Sequence, residues 1–189
     1  MQTLLAQKLN SLVDADNVAV AEVLSHFKPL SAKRNDLLLT PEEICKHYYF
    51  IEKGALRLFT TNREGKDSSR YFAFEGNFCT ALPSFIDQQA ANEYLQAINN
   101  CKLLAITRIN FFKMVEKYGF FARIYQEILE LGFITAQKRI YSFQGFDALE
   151  KVRWLVEYQP QVLLRISNKM AASYLGISPS TLSRIKAKL

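Results

Sequence analysis

The spacing of apolar residues divides the chain into a helical start, a strand-rich middle and a helical end. In the first part, apolar residues recur at helical intervals: Leu4, Leu5, Leu9 and Leu12. Asp14, Asp16 and Asn17 then form a cluster of capping residues. Because such residues satisfy the free N–H groups of a first helical turn, the cluster predicts a second short helix over about 18–27.

Residues 30–106 show short runs rich in β-branched and aromatic residues. The runs are DLLLT, HYYFI, ALRLFTT, SSRYFAF, EYLQAI and CKLLAIT, and the turn signals between them are PEE, EKG, NREGKD, EGN and INN. Short strands at this pitch predict a sandwich or barrel.

The helical period returns at Asn110, which is placed to cap a short helix that ends at Gly119. A stretch without proline follows over about 120–143, and its apolar residues cover too wide an arc for one buried stripe. We therefore expect a long helix covered by the β domain on one side and by a partner subunit on the other. A helix buried wholly inside one subunit is the alternative.

The last third continues with a helix that Asp147 is placed to cap, and Pro160 follows its end. Gly176 then separates two helices, predicted over about 168–175 and from Pro179 onward. Every position that a helix-turn-helix requires is filled. These positions comprise a turn glycine, small residues at the crossing, apolar core residues and a Ser-Pro start: Ala171, Ala172, Leu175, Gly176, Ile177, Ser178, Pro179, Leu182 and Ile185.

Charge supports a polyanionic partner for this motif. The net charge of the 189 residues is +6, and residues 161–189 carry +5 of it with no Asp or Glu. Hydroxyl side chains let a helix approach base edges, arginine pairs with guanine, and lysine suits phosphates. The predicted DNA-binding residues are Lys169, Ser178, Ser180, Thr181, Ser183, Arg184, Lys186 and Lys188. A structural helical hairpin with a basic, solvated face is the alternative.

The remaining composition limits location and chemistry. No run of about 18 apolar residues and no N-terminal signal segment occurs, so we expect a cytoplasmic protein without a membrane span. Three widely spaced cysteines favour reduced, buried thiols. His26 and His47 are 21 residues apart, which does not favour a cupin-like metalloenzyme, and no catalytic or metal-binding set is predicted.

The order of elements, together with YFIEKGALRLF, FEGNF and ISNKMAASYLGISPSTLSRIKAKL, resembles the Crp/Fnr superfamily of bacterial transcription regulators. The resemblance implies an α+β chain with three parts. These are a cyclic-nucleotide-binding-like β-roll flanked by helices (1–119), a dimerisation helix (120–145) and a helix-turn-helix domain (146–189). It also implies a homodimer on a palindromic operator in double-stranded DNA, with RNA polymerase as a further candidate partner.

Two departures from the family pattern concern the wing and the effector cassette. The sequence ends at Leu189, so we expect no wing after the second helix. Where nucleotide-binding members carry Gly-Glu and later an Arg, the cassette here has the residues Gly76, Asn77, Phe78, Ala91 and Asn92. Since the ribose and phosphate partners are missing, cyclic AMP is not expected to bind.

Other details of the roll remain open at the sequence level. A different, more apolar effector, or none, is left as the alternative, in a cavity walled by aromatic residues: Phe72, Phe74, Phe78 and Tyr94. Four cations lie on neighbouring strands or turns, and one that points inward would be a substitute for the missing arginine. Surface exposure is nevertheless expected for each: Arg57, Arg63, Lys66 and Arg70.

The resulting prediction is a dimeric, sequence-specific DNA-binding transcription regulator with a degenerate effector domain, and not an enzyme. The alternative is a sensor or interaction module whose helix-turn-helix contacts protein.

Overall fold

The computed structural model describes residues 3–11 and 17–188. Its helices are α1 (Leu4–Ser11), α2 (Asn17–Ser25), α3 (Leu82–Asp87), α4 (Arg108–Lys117), α5 (Gly119–Gly145), α6 (Ala148–Tyr158), α7 (Pro160–Arg165), α8 (Asn168–Leu175) and α9 (Pro179–Lys186). Its strands are β1 (Lys28–Ala32), β2 (Leu37–Leu39), β3 (His47–Lys53), β4 (Ala55–Thr61), β5 (Asp67–Phe74), β6 (Phe78–Cys79), β7 (Tyr94–Ala97) and β8 (Cys101–Thr107). No helix in the described ranges is both long and apolar enough to cross a lipid bilayer.

The strands form two four-stranded sheets, ordered β1-β8-β3-β6 and β2-β7-β4-β5. Strand β8 is central to the first sheet and pairs in antiparallel fashion with β1 and β3, for example Leu30 with Leu103 and Phe50 with Leu104. The predicted α+β class and the cyclic-nucleotide-binding-like roll are therefore confirmed, as is the long helix after it. All six predicted strand runs form strands, whereas β1 and β6 were not predicted.

Contacts divide the chain into two compact units. Unit 1 comprises Met1–Leu58 and Ala73–Glu130, and unit 2 comprises Phe59–Phe72 and Leu131–Leu189. Unit 2 thus includes the tip of the β4–β5 hairpin as well as the C-terminal helices. The three-part functional division predicted from the sequence stays a prediction.

An aromatic cluster forms much of the core of unit 1. Tyr48 stacks on Phe111 with ring centroids 5.0 Å apart, and Phe85 meets Tyr48 edge-on at 5.2 Å. Phe111 also packs edge-on against Phe121 at 5.3 Å and against Tyr125 at 5.2 Å. These pairs attach the first turns of α5 to the roll and explain the high phenylalanine content.

All three cysteines are buried thiols.

Two details of the helix boundaries correct the sequence analysis. Thr107, not Asn110, caps α4, and its hydroxyl accepts a hydrogen bond from the N–H of Asn110 at 3.3 Å. The helix therefore starts three residues earlier than a cap at Asn110 would place it, directly after β8. Gly119 begins α5, since α4 already ends at Lys117. The proposed capping by Asp14 and Asp16 lies outside the described residues.

Unit 2 is built around α6, which packs against α7, α8 and α9. Asp147 caps α6 as predicted, and its carboxylate and that of Glu150 form a reciprocal capping box. Pro160 follows the end of α6, as predicted, and it also occupies the first turn of the short helix α7. That helix was not predicted.

Candidate nucleic-acid interface

Local capping defines the helix-turn-helix of α8 and α9. Ser167 caps α8, and Gly176 ends it in the left-handed conformation with φ 67°. A side chain at that φ is disfavoured, which explains glycine in the turn. Ser178 then caps α9, accepting a hydrogen bond from the N–H of Thr181 at 3.0 Å, and Pro179 fills the first helical position. The predicted start of α9 and both ends of α8 coincide with the observed ones.

The inner faces of the two helices are closely packed. Ala171 and Ala172 are at most 1% exposed, which lets the helices approach each other where they cross. Leu175 and Leu182 are fully buried, while Ile177 and Ile185 are half-buried. This packing fixes which side of α9 faces outward.

Asn168 joins α8 to α9, a role that the sequence analysis missed. Its Nδ2 donates to the carbonyl oxygen of Pro179 and to Oγ of Ser183, both at 2.9 Å. No spacing rule points to this residue, because its partners lie 11 and 15 positions later in the chain. Asn168 therefore holds the N-terminal half of α9 in place and orients the Ser183 hydroxyl.

The outer face of α9 is polar and basic. Ser180, Ser183, Arg184 and Lys186 are exposed, and Thr181 is half-buried. A guanidinium nitrogen of Arg184 lies 3.4 Å from the Thr181 hydroxyl. No Asp or Glu occurs from position 161 onward, so residues 161–189 supply no carboxylate side chain to neutralise the basic residues of this face.

The other predicted DNA-binding residues lie at the margins of this face. Lys169 is exposed in the first turn of α8, and Lys188 is exposed just beyond α9. Ser178 is also exposed, and its Oγ lies 2.8 Å from Oγ of Ser180 and Oγ1 of Thr181. The structure therefore brings all eight predicted residues onto one helix-turn-helix.

The cassette residues in unit 1 differ in burial and in hydrogen bonding. Asn77 is exposed, and its amide Nδ2 donates to the carbonyl oxygens of Phe74 and Glu75, three and two residues earlier. Gly76 occupies a left-handed turn with φ 77°. Ala91 is buried and exchanges backbone hydrogen bonds with residues 42 and 43, whereas Asn92 is exposed.

Between the two parts of the cassette, polar side chains in and just after helix α3 form hydrogen bonds with backbone groups. The Ser84 hydroxyl donates to the carbonyl of Gln89 and accepts from the N–H of Cys45 at 2.9 Å. The Gln88 side-chain amide donates to three carbonyl oxygens, including that of Cys45 at 3.3 Å. Phe78 packs against Phe50 at 5.0 Å and belongs to the core.

The expected exposure of Arg57 is wrong, because this side chain on β4 is only 3% exposed. Its guanidinium donates to Oε1 of Gln96 on the neighbouring strand β7 at 2.9 Å. The alternation of residues around Arg57 in the sequence gave no sign that this side chain is buried. Arg63, Lys66 and Arg70 are exposed as expected.

Comparison with known proteins agrees with this architecture. A sequence-family profile described as "Cyclic nucleotide-binding domain" matches residues 29–118. A search of curated protein sequences gave no significant match.

Several solved structures share the fold over most of the chain. FixK2 from Bradyrhizobium japonicum is 17% identical with a TM-score of 0.74, covering 86% of this chain and 84% of its own. The c-di-GMP responsive global regulator CLP of Xanthomonas campestris is 16% identical with a TM-score of 0.71, covering 92% and 91%. A regulator of the Crp/Fnr family from Eubacterium rectale is 16% identical with a TM-score of 0.69, covering 93% and 83%. These neighbours are regulators rather than enzymes. Residues 29–118 therefore match the cyclic nucleotide-binding family, and the chain has the fold of the Crp/Fnr transcription regulators.

Proposed function

We propose that this protein is a dimeric, sequence-specific DNA-binding transcription regulator that uses α9 as its recognition helix. The observation that carries the proposal is the outer face of α9, which presents hydroxyl and basic side chains while Leu182 is buried behind it. Short polar side chains allow a helix to lie deep in the major groove, where base edges differ between base pairs.

Each side chain has a role that follows from its position. Arg184 lies one helical turn after Ser180 on the exposed face, so both point toward the floor of the groove. Its planar guanidinium suits the two acceptors of guanine. Lys186 is displaced around the helix from Ser180, and Lys169 lies on α8, so both suit the phosphates at the groove edges.

The C-terminal part of α5, residues 131–145, supports the dimer. Its exposed apolar residues occupy a wide arc of the helix, with exposures of 47–66%: Leu131, Phe133, Ile134, Ile140 and Tyr141. A monomer seldom leaves so many large apolar side chains in water on one helix. A second copy of α5 would cover this arc. The dimer would then have two recognition helices, about 34 Å apart, for the two half-sites of an inverted repeat.

The effector domain is proposed to have lost the family's usual cyclic-nucleotide contacts. A cyclic phosphate keeps its negative charge when buried, so it requires a charge-assisted partner. Ala91 offers no cation, and the Asn77 amide is engaged in its own turn. The buried cation Arg57 donates to Gln96. A different ligand, or none, remains compatible with this roll.

Selection of bound genomic fragments tests the proposal. The purified protein is incubated with sheared genomic duplex at several salt concentrations, because phosphate contacts make affinity depend on salt. We expect an enriched inverted repeat with half-sites one helical turn apart. Recovery of no motif at any salt concentration, with target transcription unchanged in an Arg184→Ala, Lys186→Ala double variant, would favour a helix-turn-helix that contacts protein.

A further inference from the structure

Arg139 connects three segments of unit 2. It lies on α5, and its guanidinium donates to the carbonyl oxygens of Ser69 and Arg70 in the β4–β5 hairpin, the first at 3.1 Å. The same group donates to the carbonyl oxygen of Tyr174 on α8 at 3.2 Å. One side chain therefore attaches the long helix to both the hairpin and the helix-turn-helix.

Aromatic rings hold the guanidinium in this position. It lies over the ring of Tyr174, 4.2 Å from the centroid, and 4.9 Å from the centroid of Phe143. The Tyr174 ring also packs on Phe72, and its hydroxyl donates to Oε1 of Gln159 at 2.9 Å. Burial lowers the pKa of Arg139, but an arginine remains charged at neutral pH.

A second contact fastens the hairpin to α8 independently of Arg139. The hydroxyls of Ser69 and Ser173 lie 2.8 Å apart, and the N–H of Ser69 points to the same Ser173 oxygen at 3.3 Å. Ser69 is fully buried. The hairpin and the C-terminal end of α8 are thus joined at two adjacent places.

None of these contacts involves the outer face of α9. The Arg139 donors are directed at backbone carbonyls, whereas Ser180, Ser183 and Arg184 are exposed. An effect of Arg139 on DNA binding would therefore arise from where α8 and α9 are held, rather than from a lost contact with DNA.

We propose that Arg139 is a positioning residue that sets which half-site spacing the protein accepts. The inference rests on the proposed function, since it assumes a dimer that contacts two half-sites. In such a dimer the separation of the recognition helices depends on how firmly each α8–α9 pair is attached to α5. A planar, multidentate arginine can hold two segments at once, which a lysine ammonium cannot do with the same geometry.

The test measures affinity for a set of operators that differ only in half-site spacing. The selected operator is compared with versions one and two base pairs shorter or longer. We expect wild-type protein to prefer the selected spacing by at least about tenfold, because misplaced half-sites lose the second, intramolecular binding event. Arg139→Met should reduce this preference to within about threefold and weaken binding to the selected operator by roughly tenfold.

Two further variants separate positioning from folding. Lys138→Met removes the same charge from the adjacent position of α5, where Lys138 lies over the Tyr158 ring, and should keep the spacing preference. Arg139→Lys retains the charge without the fork, and its spacing preference should lie between those of wild-type protein and Arg139→Met. Circular dichroism confirms that each variant is folded.

A reversible covalent link tests which attachment matters. Ser69→Cys with Ser173→Cys should form a disulfide, because the two oxygens are already in contact. In the Arg139→Met background this disulfide joins the hairpin to α8 but not to α5, so we expect both the oxidised and the reduced protein to lack the spacing preference. Recovery of the preference in the oxidised protein, or an unchanged preference in folded Arg139→Met, overturns the positioning role. If wild-type protein binds no operator, the proposed function itself fails.

Discussion

Ser178 offers a pair of substitutions that should affect folding and DNA binding in opposite ways. Its hydroxyl accepts the Thr181 N–H at the start of α9. Ser178→Ala removes this acceptor, and losing an N-cap typically costs about 1 kcal/mol of stability, within a range of roughly 0.5–2. Ser178→Asp keeps an acceptor and adds a carboxylate that the helix dipole favours, so we expect stability close to that of the wild-type protein.

If α9 is the recognition helix, its N-terminus lies close to DNA phosphates, so the same carboxylate should repel them and weaken binding. Two like unit charges about 6 Å apart repel by about 0.7 kcal/mol at the dielectric constant of water and by about 2.8 kcal/mol at an effective value near 20. Ser178→Asp should therefore bind the operator roughly three- to a hundredfold more weakly at low salt, and added salt should shrink the difference. Ser178→Ala lacks this charge and should bind nearly as well as wild-type protein wherever it is folded.

Urea denaturation and fluorescence anisotropy with a labelled operator measure the two effects on the same preparations. The expected result is a crossover, in which the alanine variant is the less stable protein and the aspartate variant the weaker DNA binder. Equal affinity of the aspartate variant and wild-type protein at low salt would refute the placement of the α9 N-terminus beside phosphates.

Three further outcomes follow from other parts of the molecule. Ile134→Asp on the exposed face of α5 should shift the protein toward monomer in analytical ultracentrifugation. The control Ile109→Asp, at an exposed isoleucine on α4, should leave the dimer intact, and a monomeric wild-type protein would contradict the proposed dimer. Calorimetry should detect no cyclic AMP or cyclic GMP binding in the low micromolar range, because an unpaired phosphate beside Ala91 costs about 3–5 kcal/mol. The pKa of Glu22 lies below its usual value, chiefly because Lys117 donates to it, so its stabilising effect is present above the usual carboxyl pKa and fades as pH falls through the folded-state value. An NMR titration should show that pKa rising in Lys117→Met, and an unchanged value would refute the pairing.

The parts that the sequence predicted well are those whose geometry is encoded locally. Gly176, Ser178 and Pro179 act through their own backbone conformation or through partners within a few residues, so both ends of α8 and the start of α9 could be placed to the residue. Asp147 and Glu150 likewise mark the start of α6, because their reciprocal contact joins residues only three positions apart.

The features that the sequence did not predict depend on partners distant in the chain, or on residue types that suit more than one structural position. Arg57 is buried beside Gln96, 39 positions away, and only the adjacency of β4 and β7 brings the two together. Pro160 was interpreted as a stop, although proline equally suits a first helical turn. Thr107 and Asn110 are both good caps, and the end of β8 decides between them.

The proposed contact of α9 with base edges is tested most directly by a comparison of selected motifs. Fragment selection is repeated with Arg184→Ala and with Lys186→Ala beside wild-type protein. We expect Arg184→Ala to relax the preference at one base position of each half-site, at a cost of about 1–3 kcal/mol. Lys186→Ala should keep the motif and weaken binding to all sequences alike. An identical motif and affinity for Arg184→Ala and wild-type protein would contradict the proposed contact.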